Sequence, residues 1–91
     1  SSVYVYPNPV NRRAIQTNGG CRFANVPEGA TITIMTSTGF RVRSLQETDA
    51  DGGVHWDLRD NTGTAVRSGV YLFKVTREGQ EDVLGKVSVV R

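Results

Sequence analysis

The feature that most constrains the fold is a repeated alternation of apolar and polar residues, interrupted by glycine, proline and asparagine about every ten residues. The clearest example is Ala30–Thr36, in which Ile32 and Ile34 share one side and Thr31 and Thr33 the other. This is the period of a β-strand with one buried face. No helical period extends beyond one turn, so the sequence predicts an all-β fold without an amphipathic helix.

The alternating segments number about seven and are joined by local turns, which predicts an antiparallel β-sandwich. The expected strands are residues 3–6, 21–26, 30–36, 40–45, 54–59, 69–76 and 83–90. Residues 69–76 are apolar on both faces and should form a central strand. Leu45 is out of step with Val42, which indicates a bulge or a strand end. The expected core includes Ile32, Ile34, Trp56 and Leu58.

The 91 residues are enough for one domain but leave little chain to enclose a deep pocket. We therefore expect residues 1–91 to form a single domain. The chain starts Ser1-Ser2-Val3 without methionine, as a piece of a longer protein would, and residues 1–6 are expected to include linker from that parent. No apolar run reaches the roughly 18 residues of a membrane-spanning helix.

Few residues suit catalysis, and the sequence predicts no enzyme and no cofactor. His55 is the only histidine and shares a strand face with Asp57, but no nucleophile motif accompanies the pair. Cys21 has no partner for an internal disulfide and is expected to be a half-buried structural thiol. The nine arginines are spread along the chain and are not concentrated on one element with aromatic residues between them, which argues against nucleic-acid binding.

Two binding functions remain open as alternatives. Glu47, Asp49 and Asp51 precede Gly52 at the spacing of a calcium loop, but its twelfth position is Leu58, so only a weak surface calcium site is expected. Five aromatic residues on the predicted strands would suit a sugar-stacking platform, although aromatics at period two more often fill a sandwich core. These are Tyr4, Tyr6, Trp56, Tyr71 and Phe73.

The first and last predicted strands are candidate sheet edges. Pro7 and Pro9 remove two backbone donors directly after the first strand, which is typical of an edge strand that ends there. The unpaired backbone of an edge strand offers a partner protein a place to add a strand of its own. We therefore expect recognition at these edges, with Lys86 and Arg91 beside unpaired backbone of the last strand.

The landmarks in order resemble a bacterial family. They are Val5-Tyr6-Pro7-Asn8-Pro9-Val10, Cys21–Pro27, Ile32-Thr33-Ile34, Thr38–Val42, Trp56-Asp57-Leu58-Arg59-Asp60, Ser68-Gly69-Val70-Tyr71 and Gly85–Arg91. The set is similar to the C-terminal sorting domain of type IX secretion cargo and to the immunoglobulin-like domain of the flagellar hook-capping protein. The resemblance covers nearly the whole chain and implies an immunoglobulin-like sandwich.

The resemblance further implies a module that carries a larger protein through the periplasm and across the outer membrane to the cell surface. The implied partners are the translocon, a surface sortase and the parent protein N-terminal to the domain. The positions that the family marks as informative fall here on Pro7, Asn8, Pro9, Gly69, Tyr71, Lys86 and Arg91. Residues 56–60 with 68–71 are closer to the hook-cap branch, so a structural module for assembly, adhesion or spacing is the alternative.

Overall fold

The structure is a computed structural model that describes residues 3–48 and 51–91. These residues contain eight strands and one short helix. In chain order they are β1 (Tyr4–Tyr6), β2 (Val10–Asn11), α1 (Arg12–Asn18), β3 (Cys21–Ala24), β4 (Thr31–Thr36), β5 (Arg41–Gln46), β6 (Gly53–Trp56), β7 (Gly69–Thr76) and β8 (Val83–Val90). The predicted all-β sandwich is confirmed, with one strand more than the expected seven.

The strands form two sheets. The smaller sheet has the order β1-β3-β6 and the larger the order β2-β8-β7-β4-β5, so β7 is central as predicted. Pairing between the strands is antiparallel, with one exception in the described residues: β2 runs parallel to β8, pairing Val10 with Val89 and Asn11 with Val90. Two mainly antiparallel sheets packed face to face are the architecture of immunoglobulin-like sandwiches.

The N-terminal segment crosses from one sheet to the other. β1 pairs with β3 in the smaller sheet, whereas β2 pairs with β8 in the larger sheet. Pro7, Asn8 and Pro9 form the crossing, and the Tyr6–Pro7 and Asn8–Pro9 peptide bonds are cis. The sequence predicts only the first of these two strands, because a two-residue strand is too short to show an alternating pattern.

The core lies between the sheets and includes the four residues expected there. Ile32, Ile34, Trp56 and Leu58 are fully buried, and each such side chain contributes roughly 1.5–3 kcal/mol to stability. Leu58 reaches the core from outside a strand, however. The predicted strand 54–59 ends at Trp56, and Leu58 has a positive φ of 62° in the loop that follows.

The helix α1 contradicts the expectation that the domain has none. The Asn11 side chain caps its first turn by accepting a hydrogen bond from the Ala14 N–H at 2.9 Å. Gly19, with φ 71°, ends it by donating its N–H to the Ile15 carbonyl. Seven residues make only two turns, which is too few for the helical period to emerge from the sequence.

The start of β5 also differs from the expectation. The predicted strand 40–45 begins at Arg41 instead, and Phe40 lies in the preceding turn, where it is 73% exposed. The irregularity expected between Val42 and Leu45 is present. Ile34 pairs with Arg43 and Met35 with Arg41, so Val42 is an extra residue in β5.

Candidate functional site

The positions marked by the resemblance lie in three distant segments that meet along the last strand. β8 lies between β2 and β7, so that Val89 pairs with Val10 on one side and Gly69 on the other. We call this region the terminal edge and define it as residues 7–11, 66–71 and 86–91.

The Asn8 side chain covers part of the outer side of β8. Its amide nitrogen donates to the Lys86 carbonyl at 3.1 Å, and its amide oxygen accepts from the Ser88 N–H at 3.0 Å. A carboxamide carries the same donor and acceptor as a peptide unit, so this side chain extends the pairing that β2 makes further along. The expectation of unpaired backbone beside Lys86 is therefore wrong at these two groups.

Pro7 and Pro9 bracket this asparagine. Proline fixes its own φ and has no N–H, so neither residue adds a donor that would need a partner in the crossing. Both neighbours of Asn8 thus have restricted backbones, which reduces the conformational entropy lost when its side chain binds β8. Pro9 is exposed and Pro7 is half-buried.

Tyr71 lies in the interior, not on the surface. Its hydroxyl donates to the Arg67 carbonyl at 2.7 Å, and its ring packs edge-on against Trp56 with the centroids 5.9 Å apart. A tyrosine that bonds backbone a few residues upstream is a known corner motif of immunoglobulin-like domains. Gly69, two residues earlier, is exposed at the start of β7. The geometry gives Tyr71 a packing role.

The two basic residues of the last strand differ in accessibility. The Arg91 backbone N–H donates to the Ser68 hydroxyl at 2.9 Å, and its guanidinium donates to the carbonyls of Val66 and Leu58. Arg91 is thus attached to the loop before β7. The Lys86 side chain is exposed, and beside it lies an apolar cleft of about 250 Å³ on the outer face of the larger sheet, lined by Met35, Leu72, Phe73, Leu84 and Gly85.

Two of the three calcium candidates, Glu47 and Asp51, make other contacts in the structure. Glu47 is buried, with its backbone bonded to Ala30 and Gly29. Asp51 forms an ion pair with Arg22 at 3.3 Å and accepts the Gly53 N–H at 2.9 Å, whereas Asp49 lies outside the described residues. In residues 3–48 and 51–91, no group of three or more histidine, cysteine or carboxylate side chains has the geometry to hold a metal.

The carboxylate expected beside the single histidine bonds other groups, and the single cysteine is buried. The Asp57 carboxylate, expected beside His55, accepts hydrogen bonds from Arg43 at 2.9 Å and from the Arg59 N–H at 3.1 Å. Cys21 is buried more deeply than expected, and this burial raises the pKa of its thiol to about 12. At neutral pH the thiol therefore stays protonated, which is the unreactive form.

The sequence reasoning missed one group that resembles Asn8. Asn61 contacts the opposite edge of the larger sheet: its N–H donates to the Val42 carbonyl at 3.0 Å and its side-chain oxygen accepts from the Ser44 N–H at 3.3 Å. Asp60-Asn61-Thr62-Gly63 has the residue types of a turn, and the structure has a turn there, with Gly63 at φ 88°. The turn was visible in the sequence, but its contact with β5 was not.

Comparisons with known proteins give one informative match. No protein-family model and no curated protein matches the chain. A solved structure of PorZ, an essential bacterial surface component of the type IX secretion system of Porphyromonas gingivalis, is similar to it, with 29% sequence identity and a TM-score of 0.82. The match covers 98% of this chain and 11% of the PorZ chain, so this domain spans a small part of that protein's length.

The similarity to PorZ supports the general relation to type IX secretion that the sequence resemblance suggested. The chain has the fold of a domain found in a type IX secretion component. The 29% identity means that the two sequences are similar as well as the two folds. In the part of the chain that the structure describes, no helix is long and apolar enough to cross a membrane.

Proposed function

We propose that this domain is a non-catalytic C-terminal module that directs a larger extracellular protein through type IX secretion and attaches it to the cell surface. The observation that carries the proposal is the similarity to PorZ over 98% of the chain. PorZ is itself a bacterial surface component of that secretion system, which agrees with the landmarks in the sequence. The proposed partners are the translocon, a surface sortase and the parent protein.

Under this proposal the residues of the terminal edge divide into two groups. Lys86, Pro9 and Val90 are exposed and are the candidates for contact with the secretion machinery. Asn8, Tyr71 and Arg91 bond other parts of the domain and hold the last strand in place. The machinery would then recognise the folded edge, and the internal hydrogen bonds would maintain its shape.

The test is export of a fluorescent reporter. Residues 1–91 are fused to the C-terminus of a reporter that carries a signal peptide and are expressed in a host with a type IX system. We expect the reporter to reach the cell surface. A reporter that stays in the periplasm, while an authentic sorting domain exports the same reporter, contradicts the proposal.

A matched pair of lysine variants locates the contact. Lys86→Ala removes the exposed charge on β8, whereas Lys74→Ala removes a charge on the neighbouring strand β7, where Lys74 pairs with Asp82 at 3.4 Å. Surface substitutions of this kind change stability by about 0.5 kcal/mol or less. We expect export to fall for Lys86→Ala only.

A deletion of residues 86–91 tests the last strand as a whole. It should keep the reporter inside the cell, because it removes the buried residues Val87 and Val89.

A structural immunoglobulin-like module is the second candidate, with hook-cap assembly, adhesion or spacing as its role. It is favoured by the internal bonds of Asn8, Tyr71 and Arg91, which stabilise the fold without needing an export partner. A correctly folded domain that is retained in the periplasm, and whose Lys86→Ala variant behaves like the parent, supports this role.

A further inference from the structure

The outer face of the smaller sheet carries two exposed aromatic residues. Tyr4 and Tyr6 are 52% and 47% exposed, whereas Val5 between them is buried. Alternation along β1 therefore directs both tyrosines away from the core. Of the five aromatic residues on the predicted strands, Trp56, Tyr71 and Phe73 fill the core as expected, whereas Tyr4 and Tyr6 do not. The two rings lie 5.8 Å apart at 34° to each other, so they form one continuous aromatic surface.

The adjacent strands add polar groups beside these rings. The register aligns Tyr6 with Arg22 on β3 and then with His55 on β6, in a row across the sheet. Arg22 is half-buried and His55 is exposed. We call Tyr4, Tyr6, Arg22 and His55 together the tyrosine platform. It presents hydrogen-bonding side chains at the side of an aromatic surface.

The platform is kept flat by small residues. Tyr4 aligns with Ala24 and then with Gly53 across the sheet. The Arg22 guanidinium lies over Gly53 so closely that a Cβ at that glycine would come within 2.2 Å of it. The Asp51 carboxylate forms an ion pair with the guanidinium at 3.3 Å. Arg22 is thus fixed across the sheet, and its positive charge is balanced by a carboxylate.

A shallow cleft adjoins the platform. It has a volume of about 210 Å³ and is lined by Tyr6, Pro7, Asn18, Arg22 and His55, together with the buried Gly20 and Cys21. Asn18, at the end of α1, is exposed there. Its carboxamide supplies both a donor and an acceptor. Aromatic surface beside a few fixed polar groups is the usual composition of a small-molecule site.

We propose that the tyrosine platform binds a neutral hexopyranose oligosaccharide. One sugar ring would lay its C–H face on Tyr4 and Tyr6, a contact for which aromatic faces are suited. The hydroxyls at its edge would bond Arg22, His55 and Asn18 in the cleft. Because Asp51 balances the charge of Arg22, the site favours an uncharged sugar over an acidic one. The platform lies on the smaller sheet, and its cleft adjoins the terminal edge at Pro7. Sugar binding there does not depend on the proposed secretion role.

The test is an NMR titration of the ¹⁵N-labelled 91-residue chain with three neutral oligosaccharides: cellohexaose, maltohexaose and mannohexaose. We expect at least one of them, at up to about 10 mM, to shift the backbone amide signals of Tyr6, Arg22 and His55, with a dissociation constant in the millimolar range. If none of the three shifts these signals, the proposal is overturned.

Three variants separate stacking from other effects. Tyr4→Ala and Tyr6→Ala should weaken binding about tenfold or more, whereas Tyr4→Phe keeps the ring and should bind nearly as well as the parent chain. Phe40→Ala is the matched control, because Phe40 is an exposed aromatic in a turn away from the platform. Equal loss of binding in Phe40→Ala, or unchanged binding in both tyrosine-to-alanine variants, overturns the proposal. Binding of an extended peptide along β1 without sugar binding overturns it as well.

Discussion

The two long edges of the larger sheet are covered by the same kind of side chain. At the β8 edge, the Asn8 amide bonds the Lys86 carbonyl and the Ser88 N–H. At the β5 edge, Asn61 bonds the Val42 carbonyl and the Ser44 N–H. Exposed strand edges invite pairing with other chains, and covering their backbone groups reduces that tendency.

The two asparagines differ in how the chain brings them to the sheet. Asn61 lies 17 residues from Ser44 and belongs to a turn in which the Asp60 carboxylate accepts hydrogen bonds from Thr62 and Thr64. Asn8 lies 80 residues from Ser88 and comes from the segment that crosses between the sheets. The β5 edge is therefore closed by local structure, whereas the β8 edge is closed only when the two ends of the chain meet.

The largest effect is expected from Gly85→Val on β8. A Cβ at Gly85 would lie 2.3 Å from the Phe73 ring, which fills the space above this residue. The added side chain must displace that ring, at an expected cost of about 2–3 kcal/mol in the free energy of unfolding. Urea unfolding followed by circular dichroism measures it.

The control for this substitution is Ser44→Val on the exposed side of β5, which should change stability by no more than about 0.5 kcal/mol. A Ser44→Val variant as unstable as Gly85→Val would mean that the packing at the two edges does not differ.

The next effect is expected from Asn8→Ala. Two backbone groups of β8 lose their partner, but both are near solvent and regain hydrogen bonds to water, so the expected loss is about 1 kcal/mol. Hydrogen exchange of the Ser88 amide should become faster, while the Ser44 amide is unchanged. Asn8→Asp keeps the acceptor and should preserve more of the Ser88 protection than Asn8→Ala does.

A smaller effect is expected from Asn61→Ala. The bond from its backbone N–H to the Val42 carbonyl remains, and only the side-chain bond to the Ser44 N–H is lost. The expected cost is about 0.5 kcal/mol, with faster exchange confined to the Ser44 amide. Faster exchange at Ser88 in this variant would indicate that the two edges are coupled.

The smallest effect is expected from acid. Hydrogen bonds from the Thr62 hydroxyl and then the Thr64 N–H hold the pKa of Asp60 below its ordinary value. A carboxyl with a lowered folded pKa stabilises the turn above the unfolded pKa, about 3.9, and this stabilisation is lost as the pH falls through the folded pKa. Below about pH 3.9 the Ser44 amide should therefore lose protection before the Ser88 amide does. Asp60→Asn should remove this pH dependence.

The sequence predicted the parts of the molecule that depend on local pattern. Ile32 and Ile34 follow strand alternation, and Gly63 marks a turn, so the sandwich and the core could be inferred. The helix α1 was missed because two turns are too short for a period to show. Phe40 was included in the predicted strand 40–45 because it continues the apolar alternation, although it lies in the turn before β5.

The contacts of the terminal edge could not be predicted in the same way. Nothing in Pro7-Asn8-Pro9 itself indicates that its asparagine binds a strand 78 residues away, since that depends on the order of strands in the sheet. The tyrosine platform was missed for a related reason. Period two shows that Tyr4 and Tyr6 share a face, but only the buried Val5 shows which face it is.

The crossing of the N-terminal segment has a consequence for synthesis of the protein. As the domain is synthesised, β1 can pair with β3 once Ala24 has been made, but β2 and Asn8 must wait for β8, which follows the other described strands in the chain. Contacts this distant in sequence form late and slowly. The larger sheet therefore stays incomplete until β8 has left the ribosome, and the nascent domain keeps one side of this sheet open until then.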